Sequence, residues 1–240
     1  MKLIDEIIIS LETKPADDIR VGLKYTGVEI DGKIGLAYTF SEYAKTPKDV
    51  GNLIGKNVTK LAHSWNLTEA SIGVAGINAL IKPKNYEEIE ISNYILKIAQ
   101  KYNRIGIVGL FWPLIKKFSA ENEVFIFEKR EYLSTLEKLT GVNILPDSSE
   151  EEIIPMCDLV IISGSTFVNK TVERLLELSN GYTMIIGPTT ILSPVLFDYN
   201  ADALAGVIIT KPEKALEIVS QGGGRRELED VIKFVYMEKK

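Results

Sequence analysis

Three apolar runs in the second half of the chain end in residues that are small, polar or both. They are Ile105–Pro113 (IGIVGLFWP), Leu159–Thr171 (LVIISGSTFVNKT) and Met184–Pro194 (MIIGPTTILSP). Gly109 and Gly187 would let a ligand come close to the main chain, while Ser165, Thr166, Asn169, Thr189 and Ser193 offer hydroxyl and amide hydrogen bonds. A carboxylate, Glu128, closes the run Val124–Phe127. In this set Glu128 is the candidate for acid–base work or for holding a ligand, and Asn169 and Thr166 are candidates for orienting one. The loop Gly222-Gly223-Gly224, followed by Arg225 and Arg226, is a further rim candidate. Three successive glycines are entropically costly, and a loop passing close to a ligand explains them.

Each signal also has a plainer reading. Ile105–Glu128 reads as strand, turn, helix, strand with an acid at its end, like the half of a Rossmann fold in which an acid binds a ribose. The spacing Gly106-x-x-Gly109 departs from G-x-G-x-x-G, and Phe111-Trp112-Pro113 stands where phosphate-binding glycines would. Without a ligand, Gly109 simply allows a tight turn and Glu128 caps the next helix. Ser163-Gly164-Ser165-Thr166 leading into a helix over Lys170–Ser179 could form an anion site, or Thr166 and Asn169 could serve only as caps. The three glycines could equally be a turn between helices. Asn78, in the apolar stretch GVAGINAL, is either a satisfied core amide or a polar finger reaching a second domain. His63 reads as a surface residue of its helix, and Cys157 as a small buried apolar one.

These residues need a scaffold. With 45% hydrophobic and 25% charged residues in 240, the composition is that of a folded globular chain. A net charge of −5 argues against nucleic acid as a partner. No apolar run approaches the roughly 18 residues that cross a membrane, and the acidic start MKLIDEIIISLE is not a signal peptide. One cysteine excludes an intrachain disulfide and suits the reducing cytoplasm. With one cysteine and one histidine, a metal would be held by oxygen, arrive with its own chelator, or bridge subunits of a homo-oligomer.

Helical spacing covers Lys2–Leu11. Arg20–Ile30 and Ile34–Phe40 flank Asp31-Gly32, a hairpin signal. Thr46-Pro47 opens a helix toward Trp65, and another spans Thr68–Ile81. This makes a small α+β unit over residues 1–85, ending at the Lys82–Asn85 linker. Residues 86–240 alternate strands and helices. Helices are expected at Ser92–Tyr102, Pro113–Ser119, Glu131–Leu139, Ser148–Cys157, Pro212–Ser220 and Arg225–Glu238. Strands fall at Arg104–Leu110, Val124–Phe127, Val142–Leu145, Leu159–Ser163, Tyr182–Ile186 and Leu204–Thr210. The runs Glu87–Glu90 and Glu150–Glu152 read as solvated faces and helix starts. The fold class is α/β with a mainly parallel sheet.

GVAGINAL, SGSTFVNKT, GPTT-x-LSP, Ala203–Val207 (ALAGV) and Gln221–Gly224 (QGGG), in this order, resemble the two-domain heavy-metal chelation family. The resemblance implies a small domain similar to the enolase N-terminal domain, then a Rossmann-like domain, with the active site in the cleft between them. It further implies work on a metal or metal-containing cofactor, linked to anaerobic cobalamin synthesis. Carried over by motif, the cleft residues are Asn78, Gly109, Glu128, Ser165, Thr166 and Asn169, with Gly187, Thr189, Ser193, Gly222 and Gly223. The expectation is a protein that binds a small polar or metal-associated ligand. Alternatives are a non-catalytic metallocofactor chaperone and a transferase using a nucleotide or S-adenosylmethionine.

Overall fold

The computed structural model describes residues 2–111, 122–129 and 144–240. The helices expected at Pro113–Ser119 and Glu131–Leu139 lie outside these residues. Helix α1 (Lys2–Ile9) precedes a three-stranded antiparallel sheet of β1 (Asp18–Val21), β2 (Tyr25–Ile30) and β3 (Lys33–Tyr38) in the order β1-β2-β3. The run Arg20–Ile30 is broken between β1 and β2, where the chain reverses and Gly22 N donates to the Tyr25 carbonyl at 2.9 Å, close against Val219. A Cβ at Gly22 would fall 2.2 Å from the Val219 carbonyl oxygen.

Helix α2 (Leu67–Leu80) starts where the Asn66 side chain accepts a hydrogen bond from Thr68 N. It is apolar on nearly every side, as a helix packed all round must be. One side lies on the small sheet, whose strand β3 crosses it so closely that a Cβ at Gly35 would meet the Ala75 carbonyl oxygen at 2.0 Å. The helix expected between Thr46 and Trp65 does not form. Asp49, Gly51 and Gly55 have positive φ, which interrupts a right-handed helix, and only a 3-10 turn at Thr59–His63 appears.

Among the described residues the second sheet has eight strands, in chain order β4 (Glu87–Glu88), β5 (Arg104–Val108), β6 (Glu123–Glu128), β7 (Ile144–Pro146), β8 (Leu159–Ser163), β9 (Tyr182–Ile186), β10 (Ala203–Ile209) and β11 (Ile232–Glu238). Their order is β4-β11-β10-β9-β8-β5-β6-β7. Strands β5 to β10 run parallel to one another, while β11 and β4 form an antiparallel edge beyond β10. This is the expected Rossmann-like α/β architecture with a mostly parallel sheet. The central strands are buried on both faces. Helix α3 (Ile91–Ala99) packs Ile91, Ile95 and Ile98 against Ile105, Ile107 and Ile161 on one face. On the other, Val160, Ile162, Ile185 and Leu204 join the core that contains α1, α2 and helix α4 (Val172–Leu178). Helix α5 (Pro212–Ser220) sets Leu216 and Val219 against Tyr25 and Leu36 of the small sheet.

The last segment corrects the sequence reading. Arg225–Glu238 is a loop, a 3-10 turn at Glu229–Val231 and then β11, not a helix. Ile232, Phe234, Val235 and Tyr236 are β-branched or aromatic, and all seven residues of β11 pair with β10. Two helices are also shorter than expected. Ser148–Cys157 contains one α-turn, Glu150–Ile153, between 3-10 turns. The helix expected at Lys170–Ser179 is α4, Val172–Leu178, and it follows a separate turn at Thr166–Asn169 that Lys170, at φ 68°, brings to a stop. Glu150 is not on a solvated face; it is 4% exposed. No helix among the described residues is long and apolar enough to cross a membrane.

Candidate functional site

The carboxyl ends of β5, β6, β7, β8 and β9 open into one cavity of about 620 Å³, roofed by the β2–β3 hairpin. The chain leaves β5 toward β6 and β7, then returns to the other side of β5 with β8, β9 and β10. Ligands of open α/β sheets bind in the crevice at such a reversal. The floor there is bare. Gly109, at φ 97°, faces Ser163 so closely that a Cβ would lie 3.0 Å from the serine Cβ. Gly187, at φ 119°, has nothing within 4 Å of the place a Cβ would take. Both positions favour glycine for their backbone angle and leave the main chain uncovered.

Polar groups ring this floor. Ser163 Oγ and Ser165 Oγ are 2.9 Å apart, and Thr166 Oγ1 donates to the Ser163 carbonyl at 2.7 Å. The Asn169 side-chain oxygen Oδ1 accepts from Thr171 N at 3.2 Å and from Thr171 Oγ1 at 2.8 Å. Much of the hydrogen-bonding capacity of SGSTFVNKT therefore shapes its own turn, and the broken helix behind it carries only a short dipole.

Glu128 is the last residue of β6 and faces the cavity. One carboxylate oxygen accepts from Lys129 N at 2.9 Å. Burial is the main cause that pushes its pKa up, with the Lys129 hydrogen bond and charge opposing and Asp147 adding repulsion. A partly desolvated carboxyl holds its proton to higher pH than an exposed one, which suits acid–base work. The Lys129 ammonium lies 4.0 Å from the centre of the Tyr43 ring and 5.1 Å from that of Phe40. Tyr25 and Tyr38 complete an aromatic wall, their rings edge-on at 6.2 Å. The Tyr25 hydroxyl is pushed up to about 12 by burial, with the Arg225 charge pulling the other way. Arg225 itself packs on Phe234, 5.4 Å from the ring centre. Beneath the rim, Arg174 holds the buried carboxylate of Glu150. Burial pushes Glu150 up, and Arg174 draws it down.

Of the residues singled out in the sequence, Gly109, Glu128, Ser165, Thr166, Asn169, Gly187 and Thr189 all line this cavity. Four others lie elsewhere. Asn78 is a strut: its amide donates to the Leu36 carbonyl at 2.9 Å and the Thr189 carbonyl at 3.2 Å, beside a separate small cavity. Tyr38 N donates to Thr189 Oγ1 at 2.8 Å, so the Thr189 hydroxyl joins the same seam. Ser193 is buried next to another depression, lined by Lys14, Lys33 and Lys82. Gly222 and Gly223 end α5. Gly222 has φ 80°, and Gly223 N donates back to the Ile218 carbonyl at 2.9 Å. This is a glycine helix stop, and its contribution to the cavity is to deliver Arg225.

The aromatic wall, Lys129, Asp147 and the Arg174–Glu150 pair were not foreseen. Lys129 beside Glu128 was a local signal. Tyr25 and Tyr38 on the hairpin read as ordinary strand residues, and Arg174 and Glu150 are joined only by the fold.

A soft heavy metal does not fit this donor set. Such ions prefer thiolate and imidazole, and the chain has one of each. Cys157 is buried, donates to the Ile153 carbonyl at 3.4 Å and has its thiol pushed up to about 11 by burial. His63 Nε2 sits 3.0 Å from Asp5 Oδ1. Neither residue lines the cavity. Among the described residues no group of three or more His, Cys, Asp or Glu is placed to hold a metal ion.

Comparison with known proteins extends over the whole chain. Residues 4–81 match the family DUF4213 and residues 95–238 match DUF364, both described as "Putative heavy-metal chelation". An uncharacterized protein of Methanocaldococcus jannaschii is 28% identical over 240 residues, covering 89% of this chain and 88% of that one. A DUF364 protein of unknown function from Desulfitobacterium hafniense superposes with a TM-score of 0.82 at 25% identity, over 99% of this chain and 97% of its own. Another, from Pyrococcus horikoshii, superposes with a TM-score of 0.81 at 26% identity, over 99% of this chain and 98% of its own. With more than half of its residues matched, the chain belongs to the DUF364 family.

Proposed function

We propose that this protein binds a small polar organic ligand, anionic or already carrying a metal, between an enolase N-terminal-like domain (residues 1–85) and a Rossmann-like domain (residues 86–240). Glu128 is the group that exchanges a proton with the ligand or holds it, Ser165 and Asn169 orient it, and Lys129 and Arg225 balance its charge. The observation that carries this reading is the convergence of uncovered strand ends with a desolvated carboxylate that has Lys129 beside it, in a cavity that Arg225 also lines. The donor set adds a constraint: a metal handled here comes as a chelate, not as a free ion.

Melting curves and equilibrium dialysis of the metal-free chain test this. Free Co²⁺, Ni²⁺, Zn²⁺ and Fe²⁺ should not bind stoichiometrically at micromolar concentration. Small di- and tricarboxylates, phosphorylated metabolites or their metal chelates at millimolar concentration should raise the melting temperature, as any ligand selective for the folded state does. Stoichiometric uptake of a bare ion, with no response to organic anions, would instead favour a metal chaperone.

A further inference from the structure

A second depression, of about 700 Å³, lies where the end of α2 and the β2–β3 turn meet the loop that follows β9. It shares no lining residue with the strand-end cavity. Its floor is apolar: Leu11, Leu80, Ile81, Val195 and Phe197 pack against the core, are only partly buried, and leave the rest of their surface open to it. Set in this floor is Ser193, one of the residues singled out in the sequence, which is 2% exposed. Its main chain is engaged, with Ser193 N donating to the Ile191 carbonyl at 2.9 Å and the Ser193 carbonyl accepting from Leu196 N at 3.1 Å. Its hydroxyl has no hydrogen-bond partner among the described residues, and Ser193 lines neither of the other cavities described above. A buried hydroxyl left unpaired is costly, and a polar atom of a ligand would relieve it.

The rim is cationic, in a chain whose net charge is −5. Lys14, Lys33, Lys82, Lys84 and Lys240 line it. Lys14 is taken by Asp31 at 2.7 Å, while Lys33 and Lys82 have no ion-pair partner among the described residues. The Asp31 carboxyl is held below the usual range first by the Lys14 hydrogen bond and charge, and further by the charges of Lys33 and Lys82. Those two ammonium groups therefore share one neighbourhood. Ser193 lies next to it: Lys33, Ile81, Lys82 and Leu192 form the ridge between this depression and the small cavity beside Asn78, and Ser193 follows Leu192. Of the other acids on the lining, Glu238 accepts from the Tyr182 hydroxyl at 2.7 Å, which leaves Glu12 to oppose the lysines.

We propose that this depression is a second ligand site, for an amphipathic anion whose carboxylate or phosphate head sits between Lys33 and Lys82 and whose apolar body covers Leu80, Ile81 and Val195, with the Ser193 hydroxyl donating to it. An apolar floor alone would take a neutral molecule, and exposed lysines alone would take any anion. Their combination around one buried, unpaired hydroxyl selects a molecule that has both parts. Lysine is a point charge without a planar fork, so a carboxylate and a phosphate head share this chemistry.

Isothermal titration of the intact chain tests this, with hexanoate, octanoate, decanoate, decyl phosphate and decylammonium as probes below the concentrations at which they form micelles. Decanoate or decyl phosphate should bind, and the tighter of the two identifies the head. Each pair of methylenes added from hexanoate to decanoate should tighten binding about tenfold, as burial of an apolar chain does. Decylammonium, with the same body and the opposite charge, should bind at least about tenfold more weakly than decanoate. The double variant Lys33→Gln, Lys82→Gln changes two exposed side chains outside the strand-end cavity, so it should keep its melting temperature and lose about tenfold in decanoate affinity. Ser193→Ala should weaken decanoate about tenfold without lowering the melting temperature of the ligand-free chain, since the hydroxyl it removes is unpaired there. Decylammonium binding as tightly as decanoate, no gain with chain length, an affinity unchanged in the double lysine variant, or no binding by any probe overturns the proposal. None of these results bears on what the strand-end cavity binds.

Discussion

Replacing Arg174 by alanine should destabilise the protein by about 2–3 kcal/mol at pH 7, a fall of roughly 5–10 °C in melting temperature for a chain of this size. The Glu150 side chain is 5% exposed and Arg174 41% exposed. The variant leaves a desolvated carboxylate without its partner. Loss of one member of a wholly buried pair typically costs more, and the exposure of Arg174 reduces the figure here. The sign of the pH dependence follows from Glu150, whose pKa burial already raises. Without Arg174 it rises further. Below the ordinary carboxylate pKa, folded and unfolded chains both hold the proton and little is lost. As pH rises through that value and then through the raised folded-state value, the folded chain must ionise an unpaired buried group. The gap between variant and wild type therefore widens from pH 4 to pH 7. Glu150→Gln combined with Arg174→Ala should recover most of the loss, since no unpaired charge remains. Urea denaturation at several pH values checks all three expectations. A loss that does not change with pH would mean that Arg174 acts by packing alone.

Glu128→Gln should do the opposite to stability and more to function. Burial raises the pKa of this carboxyl, so ionising it in the folded chain lowers stability as pH rises above the ordinary carboxylate range. Glutamine keeps the acceptor for Lys129 N and removes the charge. The variant should melt about 2–4 °C higher at pH 7, for a gain near 1 kcal/mol, and converge with wild type near pH 4. A ligand that hydrogen-bonds the carboxylate should bind about 10–100-fold more weakly, the scale of one charge-assisted hydrogen bond. Higher stability with lost binding is the mark of a group kept for function. A variant that melts lower than wild type, or binds as well, removes Glu128 from the site.

Much of the scaffold was legible because its signals are local. Strand β9 runs Tyr182–Ile186, just after Gly181, and Pro212 opens α5 in its first turn. The segment after Gly224 misled because Leu228, Val231, Ile232 and Val235 are spaced as on a helix. The ladder to β10, a non-local contact, decides for a strand there. The same division holds at the site. Small residues at the ends of β5, β8 and β9 could be read directly, since each marks a strand end in its own segment. The roof of Tyr25, Tyr38 and Phe40 could not, because only the docking of the hairpin on Thr189 brings it over the sheet. The QGGG loop shows the reverse error: its glycines stop a helix, and the residue that reaches the cavity is the arginine behind them.

The most direct test of a binding site at the strand ends is a crystallographic soak with a library of small polar and anionic fragments. The hits should concentrate over Gly109, Gly187 and Ser165, with repeated contacts to Glu128 or Arg225. Fragments scattered over the surface, or gathered in the lysine-lined depression beside Ser193 with the strand ends left empty, would contradict it.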